Sequence, residues 1–288
     1  MTTAQDTPLT SPPGTRPPAH RITVAVPDVE EATAFLAELA GPSAVDRDGG
    51  AGVVSFSPGI EVRLVPTAAD GTRDAPPRLV DIGTNHLCLR VGDIEAAVAH
   101  LEQLPGVDVL GDIITIPEGP IRGNRWIYFR SPWGTLFELQ QWPDVPGYAD
   151  TTAERLHHDQ RPADDAPLPT LLGLDHTGYS VQSLDATIDH LVTHHRARVV
   201  LRTEIAADRA FMRRQFDLDV EGTSAMAMVV VDDALNLELF EHGIPDRQPP
   251  RPVDRLGGNL LELHAQPQPA PTAHHTAFGL TLPRPVTT

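Results

Sequence analysis

The sequence predicts an α+β fold: tandem βαβββ modules forming cup-shaped mixed sheets, with the fourth module truncated. Three observations predict it. A strand, a turn and a helix recur at 21–36, 86–104 and 176–192. Each unit then closes on a strand of alternating apolar and polar residues, at 60–65, 135–140 and 235–240. A longer period overlies these, because Pro76-Pro-Arg-Leu-Val-Asp81 before Gly83-Thr-Asn-His86 matches Pro249-Pro-Arg-Pro-Val-Asp254 before Gly257-Gly-Asn-Leu260. A helix followed by several strands, repeated, is not the βαβα alternation of a doubly wound sheet.

The helices are read from apolar stripes at helical spacing: Val29, Ala32 and Leu36, then Ile94, Ala97, Val98 and Leu101, then Leu184, Ile188 and Leu191. The strands are read from period-2 alternation, which puts Leu87, Leu89 and Val91 on one face and His86, Cys88 and Arg90 on the other. Proline and acidic residues divide the chain. Residues 1–18 read as a disordered tail, 19–142 as a first half of two modules, and 143–173 as a linker. Residues 174–265 read as a second half with one full module and a shortened one, reduced to one or two strands. Residues 266–288 read as a proline-rich tail holding only short extended pieces.

The 288 residues are 40% hydrophobic and 21% charged, enough for a sizeable core. A net charge of -17 argues against nucleic-acid or anionic-membrane partners, which need a basic footprint. Cys88 is the sole cysteine, so neither an internal disulfide nor a cysteine zinc cage is available. No apolar run is long enough to cross a bilayer, and no secretory leader is visible. The expectation is a soluble, cytoplasmic protein.

Laying the modules over one another singles out two positions. The first strands carry Arg21, His86, His176 and, in the short module, Leu260; the last strands carry Arg63, Glu138 and Glu238. A sheet curled into a cup would aim these polar side chains inward together. Neutral imidazole with carboxylate is the mixed N/O set that holds a divalent metal such as Fe, Zn, Mn, Ni or Co. The first module has arginine at both positions, so Arg21 or Arg63 could instead pair with Glu138 and fill a dead site.

Asn85-His86-Leu-Cys-Leu-Arg-Val91 with Asp93-Ile-Glu-Ala-Ala97, and Trp126-Ile-Tyr-Phe-Arg-Ser-Pro-Trp-Gly134 leading into Glu138, resemble the first strand and last hairpin of the vicinal oxygen chelate superfamily. Leu174-Asp-His176 and Asn236-Leu-Glu238-Leu-Phe-Glu241 resemble the same two signatures. That superfamily includes glyoxalases, bleomycin-resistance proteins, extradiol dioxygenases and sugar-like ketone epimerases. The resemblance implies a metal cup fed by two modules. The intact pieces are His86 with Glu138 and His176 with Glu238, one complete set that meets either within one chain or across a homodimer. It also implies a small-molecule substrate with adjacent oxygens, chelated so that Glu138 or Glu238 moves a proton beside a carbonyl, in an isomerase, epimerase or lyase. An Fe(II) extradiol-type dioxygenase is the first alternative. The second is a metal-free small-molecule binding or resistance protein, in which the two arginines with Trp126, Trp133 and Trp142 suit an aromatic or anionic compound.

Lesser candidates are Glu262 and His264, since 260–264 can also be aligned as a last strand with Glu262 matching Glu138. The doublets His157-His158, His194-His195 and His274-His275 read as solvated, and Cys88 as a small buried filler. Ser180 and Tyr179 have no recognisable base at triad spacing, and 119–123 lacks the Lys-Ser/Thr sequel of a phosphate loop.

Overall fold

A computed structural model describes residues 19–68, 75–158, 165–265 and 274–283. The tail expected at 1–18 lies outside these residues. Module one is β1 (Ala19–Val26), α1 (Val29–Ala40), β2 (Val45–Asp48), β3 (Ala51–Ser57) and β4 (Ile60–Pro66). Module two is β5 (Asn85–Val91), α2 (Ile94–Leu101), β6 (Asp108–Thr115), β7 (Arg125–Arg130) and β8 (Leu136–Gln141). Module three is β9 (Leu171–Ser180), α3 (Leu184–His195), β10 (Ala197–Ala207), α4 (Arg209–Phe216), β11 (Gly222–Val231) and β12 (Leu235–His242). The fourth keeps β13 (Asn259–Ala265), β14 (His274–Ala277) and β15 (Leu280–Pro283), with no helix among the described residues. It therefore has one strand more than expected, because 274–283 folds back as a hairpin.

The first three helices begin where a short polar side chain caps them. Asp28, Asp93 and Ser183 sit in extended backbone and accept from amides of the first turn, satisfying donors that lack an intrahelical partner. Their apolar stripes are buried: Leu36 and Leu39 of α1, Ile94 and Leu101 of α2, Ile188 and Leu191 of α3.

The modules pair crosswise. Modules two and three share one eight-stranded sheet, ordered β10-β11-β12-β9-β5-β8-β7-β6. Modules one and four share a five-stranded sheet, ordered β13-β1-β4-β3-β2. In both sheets the modules join through an antiparallel pair of first strands, β5 with β9 at the centre of the large sheet and β1 with β13 at one edge of the small one. In modules one to three the last strand lies parallel to the first, as β4 to β1, β8 to β5 and β12 to β9. Alternation then sorts the side chains. Leu87, Leu89, Phe137, Leu139, Leu237 and Leu239 enter the main apolar core, which also takes in Ile22 and Leu64 from the smaller sheet and Leu36 from α1. The opposite face of the large sheet forms a cup. Ile114 of β6 and Thr203 of β10, on strands at opposite ends of the sheet, line the same cavity, so the sheet must curl.

The helix α4 has no counterpart in the other modules among the described residues. It reaches from module three across the cup mouth to β6, where Gly111 (φ 67°) leaves room for it. A Cβ at Gly111 would stand 2.2 Å from Gln215 Oε1 and 2.8 Å from the Arg214 carbonyl oxygen. Gly111→Ala is therefore expected to lower stability by about 1–3 kcal/mol. Hydrogen exchange should speed up selectively at the amides of α4; unchanged exchange there would show that α4 is not held by this contact.

A buried histidine and carboxylate cluster

The large sheet brings the four predicted residues to one point within a single chain. His86 of β5 and His176 of β9 lie on the central antiparallel pair, and Glu138 of β8 and Glu238 of β12 lie on the strands flanking it. Their nitrogen and oxygen donors all fall within 4.8 Å of one another. His86 Nε2 stands 3.2 Å from His176 Nε2, 3.3 Å from Glu138 Oε2 and 3.2 Å from Glu238 Oε2. His176 Nε2 stands 3.5 Å from Glu138 Oε2 and 3.3 Å from Glu238 Oε2.

The backbone register explains this convergence. His86 faces Gly178 across the β5–β9 pair, and Cys88 faces His176, so each imidazole lies opposite a small residue. The His86 ring occupies the space of the missing side chain: a Cβ on Gly178 would come within 1.8 Å of His86 Cε1. Asn85 ties the strands together beside it, donating to Thr177 Oγ1 at 2.6 Å and to the Gly178 carbonyl at 3.0 Å. His176 is oriented by its own neighbour in sequence. Asp175 Oδ1 lies 3.0 Å from His176 Nδ1, which fixes the proton there and leaves Nε2 as the free lone pair. Asp175 is fully buried, and Trp142 Nε1 donates to its Oδ2 at 3.0 Å while His158 Nε2 lies 3.4 Å away.

These donors fit a divalent cation. Ligands roughly 2.0–2.2 Å from one ion stand about 3–3.5 Å apart on neighbouring vertices, and the contacts measured here are of that length. Oε2 of both Glu138 and Glu238 is buried with no hydrogen-bond partner. Burial opposes charge on both imidazoles; at His86 the facing Glu138 and Glu238 outweigh it and raise the ring, and at His176 Cys88, then Glu238 and Asp175, raise it strongly. Burial likewise opposes the Glu238 carboxylate, and the two histidines outweigh that and lower it. The point between the four residues thus favours positive charge.

Other expectations change. Arg21 and Arg63 do not reach Glu138. Arg21 binds Glu61 Oε2 at 3.1 Å and approaches Glu262 at 3.9 Å, while Arg63 lies 3.7 Å from Asp48, all on the smaller sheet. Glu262 is on a first strand, not a last one, since β13 pairs with β1 with Arg21 opposite Glu262. It sits away from the cluster, and the side chain of His264 lies outside the described residues. The pair His157-His158 is not simply solvated: Asn236 clasps the backbone of His157 while His158 faces Asp175. His194 is exposed and His195 half-buried, both rings lying against His190. His274 and His275 lie in β14, where side chains are not described. Cys88 is fully buried, and burial pushes its thiol well up, away from a thiolate ligand.

Above the cluster lies a cavity of about 430 Å³. Glu138 and Glu238 line it, with Tyr128, Gln140 and His242. Burial first, then the two carboxylates, hold the Tyr128 phenol well above its usual range. His242 lies 2.8 Å (Nδ1) from Ser224 Oγ and 3.1 Å (Nε2) from Ser180 Oγ, and stacks on Phe240. Ser180 therefore has a histidine beside it, but its hydroxyl already donates to the Leu79 carbonyl in the interior. Trp126 and Trp142 line the cavity, whereas Trp133 packs on Phe35 at 5.3 Å. Asp175, Gly178, Tyr128 and His242 were not singled out from sequence. Only Asp175, a carboxylate immediately before a candidate ligand, carried a local signal.

The family model described as "Glyoxalase/Bleomycin resistance protein/Dioxygenase superfamily" matches residues 19–139. A protein of Actinomyces sp named 2-epi-5-epi-valiolone epimerase is 33% identical over 161 residues, which cover 49% of this chain and 88% of that protein. Glyoxalase I from Zea mays superposes with a TM-score of 0.49 at 14% identity, covering 84% of this chain and 73% of that one. A variant of the same maize enzyme reaches 0.50 at 13% identity, covering 84% and 74%, a likeness of fold alone.

Two outcomes follow. Gly178→Ala should displace the His86 ring and lower affinity for a divalent ion about 10–100-fold while the protein stays folded; metal titration with circular dichroism checks both. Burial, with Arg247 adding to it, lowers His242 from 6.5 to about 4. The unfolded chain then binds a proton that the folded chain refuses, so stability present above pH 6.5 is lost as pH falls toward 4, by up to about 3 kcal/mol. Denaturant midpoints across that range should fall less in His242→Asn than in the parent.

Proposed function

The chain belongs to the glyoxalase/bleomycin resistance protein/dioxygenase superfamily, and on that premise we propose that it is a divalent-metal-dependent isomerase that inverts a carbon beside a carbonyl. The observation that carries the reading is the convergence of His86, Glu138, His176 and Glu238 beneath a cavity that the two glutamates line. The name of the Actinomyces sp relative, an epimerase, supports it. A divalent ion held by these four residues would polarise the carbonyl and offset the charge that develops on its oxygen when the neighbouring C–H bond breaks.

The chain's own residues do the rest. His86 and His176 present Nε2 lone pairs, and Asp175 keeps the His176 proton on Nδ1. Glu138 and Glu238 approach from the two sides of the histidine pair, on β8 and β12. One takes the proton from carbon and the other returns a proton, which is what inversion of a centre requires. Tyr128, 3.4 Å from His86 Nε2, sets a hydroxyl beside the floor that can donate to a substrate oxygen. The apolar cup walls keep bulk water from the exchanging proton. Four protein donors support this redox-neutral chemistry over the two-histidine, one-carboxylate site of a ring-cleaving oxygenase, which keeps three positions open.

The test measures bound zinc, manganese, nickel, cobalt and iron per chain, then follows deuterium wash-in and racemisation of (R)-acetoin. One equivalent of metal and metal-dependent exchange without oxygen uptake are expected. His86→Ala and His176→Ala should each abolish metal binding, with the double variant no worse than either single one. Glu138→Gln and Glu238→Gln should each slow exchange about 10²-fold or more. Absence of any stoichiometric metal would overturn the reading, and catechol-dependent oxygen uptake would replace it with the dioxygenase.

A further inference from the structure

The cavity above the cluster has two unlike ends. Its floor is polar, with Glu138, Glu238, Tyr128 and His242. Its walls are mainly apolar, with Trp126, Phe211, Phe216, Met226, Met228 and Phe240 among a few polar side chains such as Asn124 and Thr203. Three of these make an aromatic surface: Trp126 stacks on Phe216 at 6.1 Å with an interplanar angle of 11°, and Phe211 lies 6.3 Å from Trp126. Phe211 and Phe216 both come from α4, the helix laid across the mouth. Two of its three rings thus come from α4, and the third, Trp126, from β7 of module two.

The charges are equally one-sided. The chain has no lysine, and no arginine lines the cavity among the described residues. At the rim the acids Glu118 and Glu204 are exposed, and at the floor two more carboxylates wait. His242 at the floor is held neutral by its burial. A phosphate or carboxylate entering here would lose water and gain no cation in return, apart from an ion at the floor. Beyond the floor a polyhydroxylated body would meet Asn124, Gln140, Thr203 and Ser224, and hydroxyls lying against the Met and Phe side chains would go without partners.

We propose that the substrate is an uncharged molecule with adjacent oxygens at one end and an apolar, ring-bearing body at the other. The oxygens meet the floor, and the body lies against Trp126 and the α4 phenylalanines. This rests on the isomerase reading only for the oxygen-bearing end; the choice of body rests on the walls. The arginines of the first module take no part, since Arg21 and Arg63 belong to the smaller sheet.

Calorimetric titration tests this with four probes: acetoin, phenylacetylcarbinol, dihydroxyacetone and dihydroxyacetone phosphate, each on metal-free and zinc-loaded protein. Phenylacetylcarbinol is expected to bind about tenfold tighter than acetoin or more, the gain of burying a ring, in both forms. The phosphate should bind weakest to the metal-free form. Phe211→Ala should bring the ratio of phenylacetylcarbinol to acetoin affinity close to one, and Phe211→Leu should restore most of it. Since Phe211 is only half-buried, these variants should keep the fold. Equal affinities for phenylacetylcarbinol and acetoin, or tightest binding of the phosphate or dihydroxyacetone to metal-free protein, would overturn the proposal. A ring preference without zinc-dependent exchange supports the apolar body while the isomerase reading falls. Zinc-dependent exchange with no ring preference sinks the apolar body alone.

Discussion

The antiparallel pairing of β5 with β9 is the contact on which the rest depends. It joins modules two and three into one sheet, and its register decides which residues face each other across the joint. Gly178 opposite His86 and Cys88 opposite His176 leave each ring room to lean toward the other. A slip of one residue would turn both histidines toward the apolar core. With the joint fixed, the parallel strands β8 and β12 have one choice of face each, and their glutamates arrive at the same point.

Much of this was legible because it is written in alternation. The face shared by His86 and Cys88 follows from period 2 alone, as do the buried Leu87 and Leu89. The helix starts follow from Asp28, Asp93 and Ser183 ahead of apolar stripes. Which modules pair is a different kind of information. Nothing local in β1 says that it will meet β13, some 240 residues away, rather than a strand of module two. The identity of the residue opposite each histidine is equally non-local, so Gly178 looked like any strand glycine until its partner was known.

The arginines of module one illustrate the same divide. Their positions correspond to ligand positions, but Arg21 meets Glu61, directly opposite it on β4, and Arg63 lies by Asp48; neither meets Glu138 on another sheet. Within the smaller sheet Arg21 and Glu61 thus lie side by side with opposite signs, while Arg63 Nε and Glu262 Oε2 are buried without a hydrogen-bond partner. The helix α4 was also missed, although Asp208 caps it and Met212 and Phe216 are one turn apart. The equally short α2 is marked by its place in the repeat, whereas α4 has no repeated copy to mark it, and tertiary contact with β6 is what holds it.

The nesting of one module pair inside the other also bears on the order in which the chain can acquire structure. Every strand of the eight-stranded sheet has been synthesised by His242, whereas β1 waits for Asn259–Ala265 before its outer edge is covered. During synthesis the cup can close while the earlier sheet still presents an unpaired strand edge, the kind of surface that recruits wrong partners. The long interval between β1 and β13 makes that closing step a high-contact-order event, slower than the local hairpins around it. In this arrangement, the strands made first are among the last to be fully paired.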